Sequence, residues 1–120
     1  MDHLRHFLHA TRNSWNGLIA ITKSEKAFQQ ELVAFLLGVP LAFLITADNW
    51  KRVGLIAVLV LLLVVELLNT AIEKLADVIT RDYHPGIGWV KDMGSAAVGL
   101  SLLFAGLVWL LAFAEWLRLI

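Results

Sequence analysis

Three long apolar blocks dominate the sequence, and short polar segments separate them. The blocks cover residues 32–47, 53–72 and 93–114, and Glu66 is the only charged residue inside them. A helix needs about 17–25 mostly apolar residues to cross the hydrocarbon core of a bilayer. The pattern therefore predicts an all-α membrane protein with three spanning helices, at residues 29–47, 52–79 and 90–117, of which the second extends beyond the membrane.

The first 28 residues follow a different pattern, in which apolar and polar side chains alternate irregularly. Leu4, Phe7 and Leu8 are interspersed with Arg5 and Arg12. A mixed stretch of this kind is typical of a helix that lies in the membrane interface. We expect an amphipathic surface helix over residues 1–28, and the alternative is a loosely ordered tail. The length of the chain favours one membrane-embedded domain, residues 1–120.

The composition excludes several other classes of protein. Apolar residues make up 59% of the chain and charged residues 17%, whereas a soluble domain is about 45–50% apolar. The formal net charge is zero, which argues against a nucleic-acid partner. The chain has no cysteine, so disulfides and thiolate metal sites are excluded. No short apolar region with a small-residue cleavage site lies near the start, so we expect the chain's own helices to direct it to the membrane.

The basic and aromatic residues predict how the chain sits in the bilayer. Seven of the ten lysines and arginines lie in the N-terminal segment and in the segment between the second and third spans. Because basic residues accumulate on the cytoplasmic side, we expect a cytoplasmic N-terminus and an external C-terminus. Four of the five tryptophans lie near predicted membrane edges. Trp109 lies inside the last block, and we expect it to face lipid or another subunit.

A stripe of polar residues on the second span is the strongest indication of chemistry. Glu66, Asn69, Glu73 and Asp77 follow one another at spacings of three, four and four residues, which place them on one face of a helix. A charged residue inside a membrane helix costs about 2.5–3.5 kcal/mol and by default indicates function. Glu66 is therefore a candidate general base, and the oxygen ligands of the stripe suit Mg²⁺. The alternatives are a protonated glutamate bonded to a neighbouring helix and a merely solvated face.

Other polar groups converge on the same membrane boundary. Glu25 and Glu31 precede the first span, and Lys91 and Asp92 begin the third. A lysine near a helix N-terminus can hold phosphate, and carboxylates can hold the accompanying cation, so the pattern favours phosphoryl transfer. A non-enzymatic membrane subunit or a proton-conducting bundle is the alternative, with Glu66 as a relay group.

Several motifs resemble those of the bacterial diacylglycerol kinase family, which also contains undecaprenol kinases. The central one is Val65-Glu66-Leu67-Leu68-Asn69-Thr70-Ala71-Ile72-Glu73, followed by Tyr83-His84 and by Lys91-Asp92-Met93-Gly94-Ser95. The resemblance implies a homotrimer in the bacterial inner membrane that transfers the γ-phosphate of ATP, with Mg²⁺, to a lipid hydroxyl. Diacylglycerol would yield phosphatidic acid. An undecaprenol kinase is the alternative within the same fold, although the Tyr83-His84 and Lys91 to Ser95 motifs favour diacylglycerol.

The resemblance also implies roles for individual residues. Glu66 would be the catalytic base, and Glu25 and Glu73 would hold the metal. The positions expected to contact or support ATP are His6, Asn13, Glu25, Asn69, Glu73, Asp77, Asp82, Tyr83, His84, Lys91 and Asp92. The positions expected around the lipid are Ser14, Trp15, Ala27, Phe28, Glu31 and Ser95.

The N-terminal part departs from the pattern of the family. His6, Ile19 and Gln29 stand where basic residues are expected, and Asn13 stands in place of an aromatic residue. These departures concern the nucleotide and lipid contacts near the surface helix. They leave the carboxylate stripe unchanged.

Overall fold

Four helices form the whole fold in a computed structural model that describes residues 1–120. They are α1 (Asp2–Ser24), α2 (Lys26–Ile45), α3 (Asn49–Ile79) and α4 (Pro85–Trp116), and there are no strands. The last three are long and apolar enough to cross a membrane. The predicted all-α class is confirmed, as is a helix rather than a loose tail at the N-terminus. The protein is a multi-pass membrane protein.

The helix boundaries differ from the predicted ones where single residues act as caps. α1 ends at Ser24 because Glu25 adopts an extended conformation (φ −112°, ψ 114°). α4 begins at Pro85, earlier than residue 90, because the Nδ1 atom of His84 accepts a hydrogen bond from Gly86 N at 3.0 Å. Proline suits the first position of a helix, where its missing N–H leaves no hydrogen bond unmade. The break between α3 and α4 is therefore short and well defined.

The turn between α2 and α3 is fixed by side chains that satisfy helix ends. Asp48 accepts a hydrogen bond from Trp50 N at 2.9 Å and caps α3. Arg52 donates from Nε to Thr46 O at 2.9 Å, and its guanidinium lies 4.5 Å from the ring centroid of Phe43. These contacts satisfy carbonyls at the end of α2, which have no partner inside that helix.

The core lies along α3, which packs against both α2 and α4. One buried cluster consists of Val58, Leu59, Leu62 and Ala105. A second consists of Ala42, Ile45 and Leu55. Only 16 of the 120 residues are buried, so most apolar side chains face outward. An apolar surface of that extent requires lipid or further protein subunits around it.

Trp109 joins the two clusters, and the expectation that it faces lipid or another subunit is wrong. Its ring packs against both clusters and its Nε1 atom donates to Leu55 O at 3.2 Å. The ring lies beside Gly38, and the absence of a side chain at Gly38 leaves room for Leu59 of the first cluster. An indole N–H inside an apolar bundle needs an acceptor, and the α3 backbone provides one.

We expect Trp109→Phe to reduce stability by about 1–3 kcal/mol, because it removes a hydrogen bond and leaves space in the bundle. Denaturation in detergent micelles, followed by circular dichroism, measures the change. Trp50→Phe is the matched control, since Trp50 is 83% exposed and its indole N–H donates to no other group. Equal stability of the two variants would contradict the buried role of Trp109.

Candidate functional site

The polar stripe of α3 runs from inside the bundle out to its surface. Glu66 is only 6% exposed and Asn69 only 9%. Glu73 is half-buried and Asp77 is exposed. The structure therefore brings the four predicted residues onto one helix face, with the first two enclosed by neighbouring helices. A buried carboxyl such as that of Glu66 is costly and indicates a chemical role.

Asn69 connects Glu73 to helix α4. Its Nδ2 atom donates to Oε1 of Glu73 at 3.2 Å. Its Oδ1 atom is buried, accepts no hydrogen bond, and lies against Gly94 so closely that a Cβ at position 94 would overlap it. The Asn69 amide is thus wedged between α3 and α4, and in that position it fixes one oxygen of Glu73.

Glu25 reaches α3 from the break between α1 and α2. Its Oε1 atom lies 3.6 Å from the Nζ atom of Lys74, and its side chain is 31% exposed. Lys74 follows Glu73 directly, so Glu25 and Glu73 lie at the same level of α3. The structure therefore places Glu25, at the α1–α2 junction, beside the turn of α3 that carries Glu73.

This pair of carboxylates fits Mg²⁺ that arrives with a phosphate ligand. No group of three or more His, Cys, Asp or Glu side chains could hold a metal ion here. Mg²⁺ is commonly held by one or two carboxylates, with water and substrate phosphates as the remaining ligands. Glu25 and Glu73 provide hard oxygen donors of that kind.

Lys91, on α4, contacts the exposed end of the stripe. Its Nζ atom lies 2.9 Å from Oδ1 of Asp77. An ammonium has three N–H donors, so this ion pair leaves Lys91 able to bind phosphate. Asp92 is exposed on the first turns of the same helix. The α3–α4 pair therefore presents two lysines, Lys74 and Lys91, and several acceptors at its polar end.

Other residues predicted to contact ATP form no hydrogen bond or ion pair with the stripe within one subunit. Asp82 and Tyr83 are exposed in the link between α3 and α4, and His84 caps α4. His6 and Asn13 are exposed on α1. His6 lies with Asp2, Arg5 and His9 on an exposed polar face of the first helix. Contacts of these side chains with the stripe would need either movement or a neighbouring subunit.

An open apolar groove of about 550 Å³ lies between α1, α2 and α3. Trp15 and Phe28, two of the predicted lipid positions, line it. The other predicted lipid positions do not: Glu31 is half-buried, and Ser14, Ala27 and Ser95 are exposed. The lining also includes residues that were not predicted as lipid positions, namely Leu18, Ile19, Thr22, Lys23, Leu32 and Leu63.

Leu63 is the most informative of these additional residues. It precedes Glu66 by three residues and therefore shares its helix face. The α3 wall of the groove thus lies about one helical turn from the buried carboxyl of Glu66. The spacing from Glu66 could have identified Leu63, whereas Leu18 and Leu32 join the groove only through packing between helices.

Comparisons with known proteins identify the family of the chain. Residues 12–113 match the family described as prokaryotic diacylglycerol kinase. The chain is 46% identical over 96 residues to a diacylglycerol kinase of Escherichia coli (strain K12), covering 80% of this chain and 79% of that one. It is 39% identical over 106 residues to that of Pseudomonas aeruginosa, covering 88% and 86%. It is 34% identical over 106 residues to that of Haemophilus influenzae, covering 88% and 90%.

The family match includes α2, α3 and nearly all of α4, together with the second half of α1. It therefore contains the stripe, the groove and Lys91. The aligned regions cover most of each relative as well as most of this chain. The protein is an enzyme that belongs to the prokaryotic diacylglycerol kinase family.

Proposed function

We propose that the protein transfers the γ-phosphate of ATP to the free hydroxyl of 1,2-diacylglycerol and so produces phosphatidic acid. The observation that carries this proposal is the order of groups along one face of α3. An apolar groove lined by Leu63 comes first, the buried Glu66 follows, and the polar pair Asn69 and Glu73 comes last. A lipid hydroxyl and a nucleotide phosphate can therefore meet beside one carboxylate.

In the proposed reaction, Glu66 accepts the proton of the lipid hydroxyl as its oxygen attacks the γ-phosphorus. A new O–P bond forms, and the bond from the γ-phosphorus to the β–γ bridging oxygen breaks, so that ADP leaves with the electron pair. Lys91, held by Asp77 at 2.9 Å, would stabilise the charge on the phosphate oxygens. Catalysis of phosphoryl transfer depends mainly on positioning and on such charge stabilisation.

Glu25 and Glu73 would hold the Mg²⁺ that accompanies ATP. When bound, the ion would offset the negative charge of the phosphates. Asn69 would restrict the rotation of the Glu73 side chain through its hydrogen bond at 3.2 Å. The nucleotide would be supported from α4 and from the link before it, by Asp92, Asp82, Tyr83 and His84.

We further propose that the enzyme is a homotrimer in the bacterial inner membrane, with its N-terminus in the cytoplasm and its C-terminus in the periplasm. The wide apolar faces of the helices support an oligomer, since Leu103 and Leu107 on α4 are 72% and 68% exposed. His6 and Asn13 would then contact the nucleotide of a neighbouring subunit. The distribution of lysine and arginine supports the orientation.

Lipid phosphorylation in mixed micelles tests the proposed activity. Purified protein receives Mg²⁺, labelled ATP and either dioleoylglycerol or undecaprenol, and the label in the lipid phase is counted. We expect label in phosphatidic acid. Label mainly in undecaprenyl phosphate would replace the substrate but keep the chemistry. No label in either lipid, from folded and trimeric protein, would favour a non-enzymatic membrane subunit instead.

The groove predicts a specific effect on lipid binding. We expect Leu63→Trp to raise the KM for dioleoylglycerol about tenfold, because the larger side chain fills space that an acyl chain would occupy. The KM for ATP should stay unchanged. Leu68→Trp is the control on the same helix, since Leu68 is 60% exposed and lies outside the groove. An unchanged lipid KM in Leu63→Trp would exclude the groove as the acyl site.

A further inference from the structure

The junction between α1 and α2 consists of a single residue, Glu25. Its backbone is extended, yet helical hydrogen bonds continue on both sides of it. Glu25 N donates to Ile21 O at 2.9 Å, and Gln29 N donates to Glu25 O at 3.1 Å. The proposed metal ligand is thus the hinge residue itself, so the angle between the two helices decides where its carboxylate points.

The break at Glu25 leaves a carbonyl of the last turn of α1 without its helical partner. In a continuous helix Thr22 O would accept from the N–H of the residue four positions later. Here the side chain of Gln29 replaces that partner, because its Nε2 atom donates to Thr22 O at 2.8 Å. Gln29 therefore connects the first turn of α2 to the last turn of α1 across the hinge.

Buried side chains on each side of the hinge restrict it further. Ile21 is 5% exposed and Phe28 is 2% exposed. They anchor each helix beside the hinge. The hydrogen bond from Gln29 is the only side-chain hydrogen bond that crosses the hinge.

We propose that Gln29 is a positioning residue, which holds the α1–α2 hinge at the angle that directs Glu25 towards Glu73 on α3. The inference rests on the proposed function, in which these two carboxylates hold Mg²⁺. At the angle in the structure, Glu25 lies 3.6 Å from the Nζ atom of Lys74, the residue that follows Glu73 on α3. Without the hydrogen bond, the hinge samples other angles and Glu25 spends less time at the metal position.

The matched variants follow from the sequence. Gln29→Leu removes the donor at nearly constant size. Gln29→Lys restores a donor that can reach Thr22 O. Gln30→Leu makes the same chemical change at the next residue, whose side chain forms no hydrogen bond and is exposed.

Two measurements test the role of Gln29. The first is the Mg²⁺ concentration for half-maximal phosphorylation of dioleoylglycerol. We expect it to rise about fivefold in Gln29→Leu, the factor that one neutral hydrogen bond contributes, and to stay within twofold of wild type in Gln29→Lys and Gln30→Leu. The KM for dioleoylglycerol should not change.

The second measurement reports the hinge without turnover or metal. Because the chain has no cysteine, spin labels at Asn16→Cys and Leu37→Cys report the distance between α1 and α2 when labelled subunits are diluted with unlabelled ones. We expect a narrow distribution in wild type, Gln29→Lys and Gln30→Leu, and a broad one in Gln29→Leu.

The outcomes separate this inference from the proposed function. A wild-type protein that phosphorylates neither lipid overturns the proposed function and, with it, the role of Gln29. If wild type is active and Gln29→Leu keeps a narrow distribution of spin-label distances, the role of Gln29 is overturned and the proposed function is not. A broad distribution with unchanged Mg²⁺ dependence likewise overturns it, because the hinge would then not position the metal ligand.

Discussion

Replacing Glu66 with glutamine should lower the phosphorylation of dioleoylglycerol about 10²–10⁴-fold, which is the usual contribution of a general base. Glutamine has nearly the same shape and can still form hydrogen bonds, but it cannot accept the hydroxyl proton. Because Glu66 is only 6% exposed, water cannot easily replace its carboxylate. The KM for ATP and the KM for lipid should change little, since the lost interaction forms during the reaction.

The matched control is Glu115→Gln, the same chemical change at the other end of the bundle. Glu115 is exposed and pairs with Lys51, and exposed ion pairs contribute only about 0–1 kcal/mol. We expect near wild-type activity for this variant. Size-exclusion chromatography and circular dichroism should show that both variants keep the fold and the oligomer. A Glu66→Gln variant with wild-type activity would remove Glu66 from the role of base and revive a relay or structural role.

The sequence was sufficient to predict what depends on distance along one helix. The apolar blocks predicted the three long helices, because a spanning helix must be long and apolar over its entire length. The spacings between Glu66, Asn69, Glu73 and Asp77 placed these side chains on one face of α3. These features require no knowledge of how the helices pack.

Contacts between helices could not be predicted in the same way. The wedge of Asn69 against Gly94 depends on how closely α3 and α4 approach, and the groove depends on where α1 lies against α2 and α3. Trp109 was misassigned for that reason, since an isolated tryptophan in an apolar block looks the same whether it faces lipid or Leu55. Membrane bundles add to this difficulty, because their inner and outer surfaces are both apolar.

The hinge at Glu25 shows a further limit of sequence reasoning. Residues 1–28 were expected to form one surface helix, but the helix ends at Ser24. No proline or glycine lies near the break, so the usual breaking residues are absent from it. The extended residue is maintained by contacts on both sides, including the bond from Gln29 to Thr22.

The close approach of Gly94 to Asn69 predicts the second large effect. A Cβ at position 94 would overlap the Asn69 amide oxygen, so Gly94→Ala must displace that side chain. The displacement would break its hydrogen bond to Glu73 at 3.2 Å and move the proposed metal ligand. We expect activity to fall about 10²-fold, the effect of a displacement of about 1 Å in a catalytic arrangement. Overpacking should also reduce stability by about 1–3 kcal/mol.

A double-mutant cycle shows whether the overlap causes these losses. In an Asn69→Ala background the space is already free, so Gly94→Ala should then cost almost nothing in the free energy of unfolding. Gly99→Ala is the control on the same helix, since no atom lies within 4 Å of a Cβ there, and it should retain both stability and activity. Equal costs of Gly94→Ala in the two backgrounds would mean that Asn69 is not the residue displaced. That result would exclude the proposal that α4 positions Glu73 through Asn69.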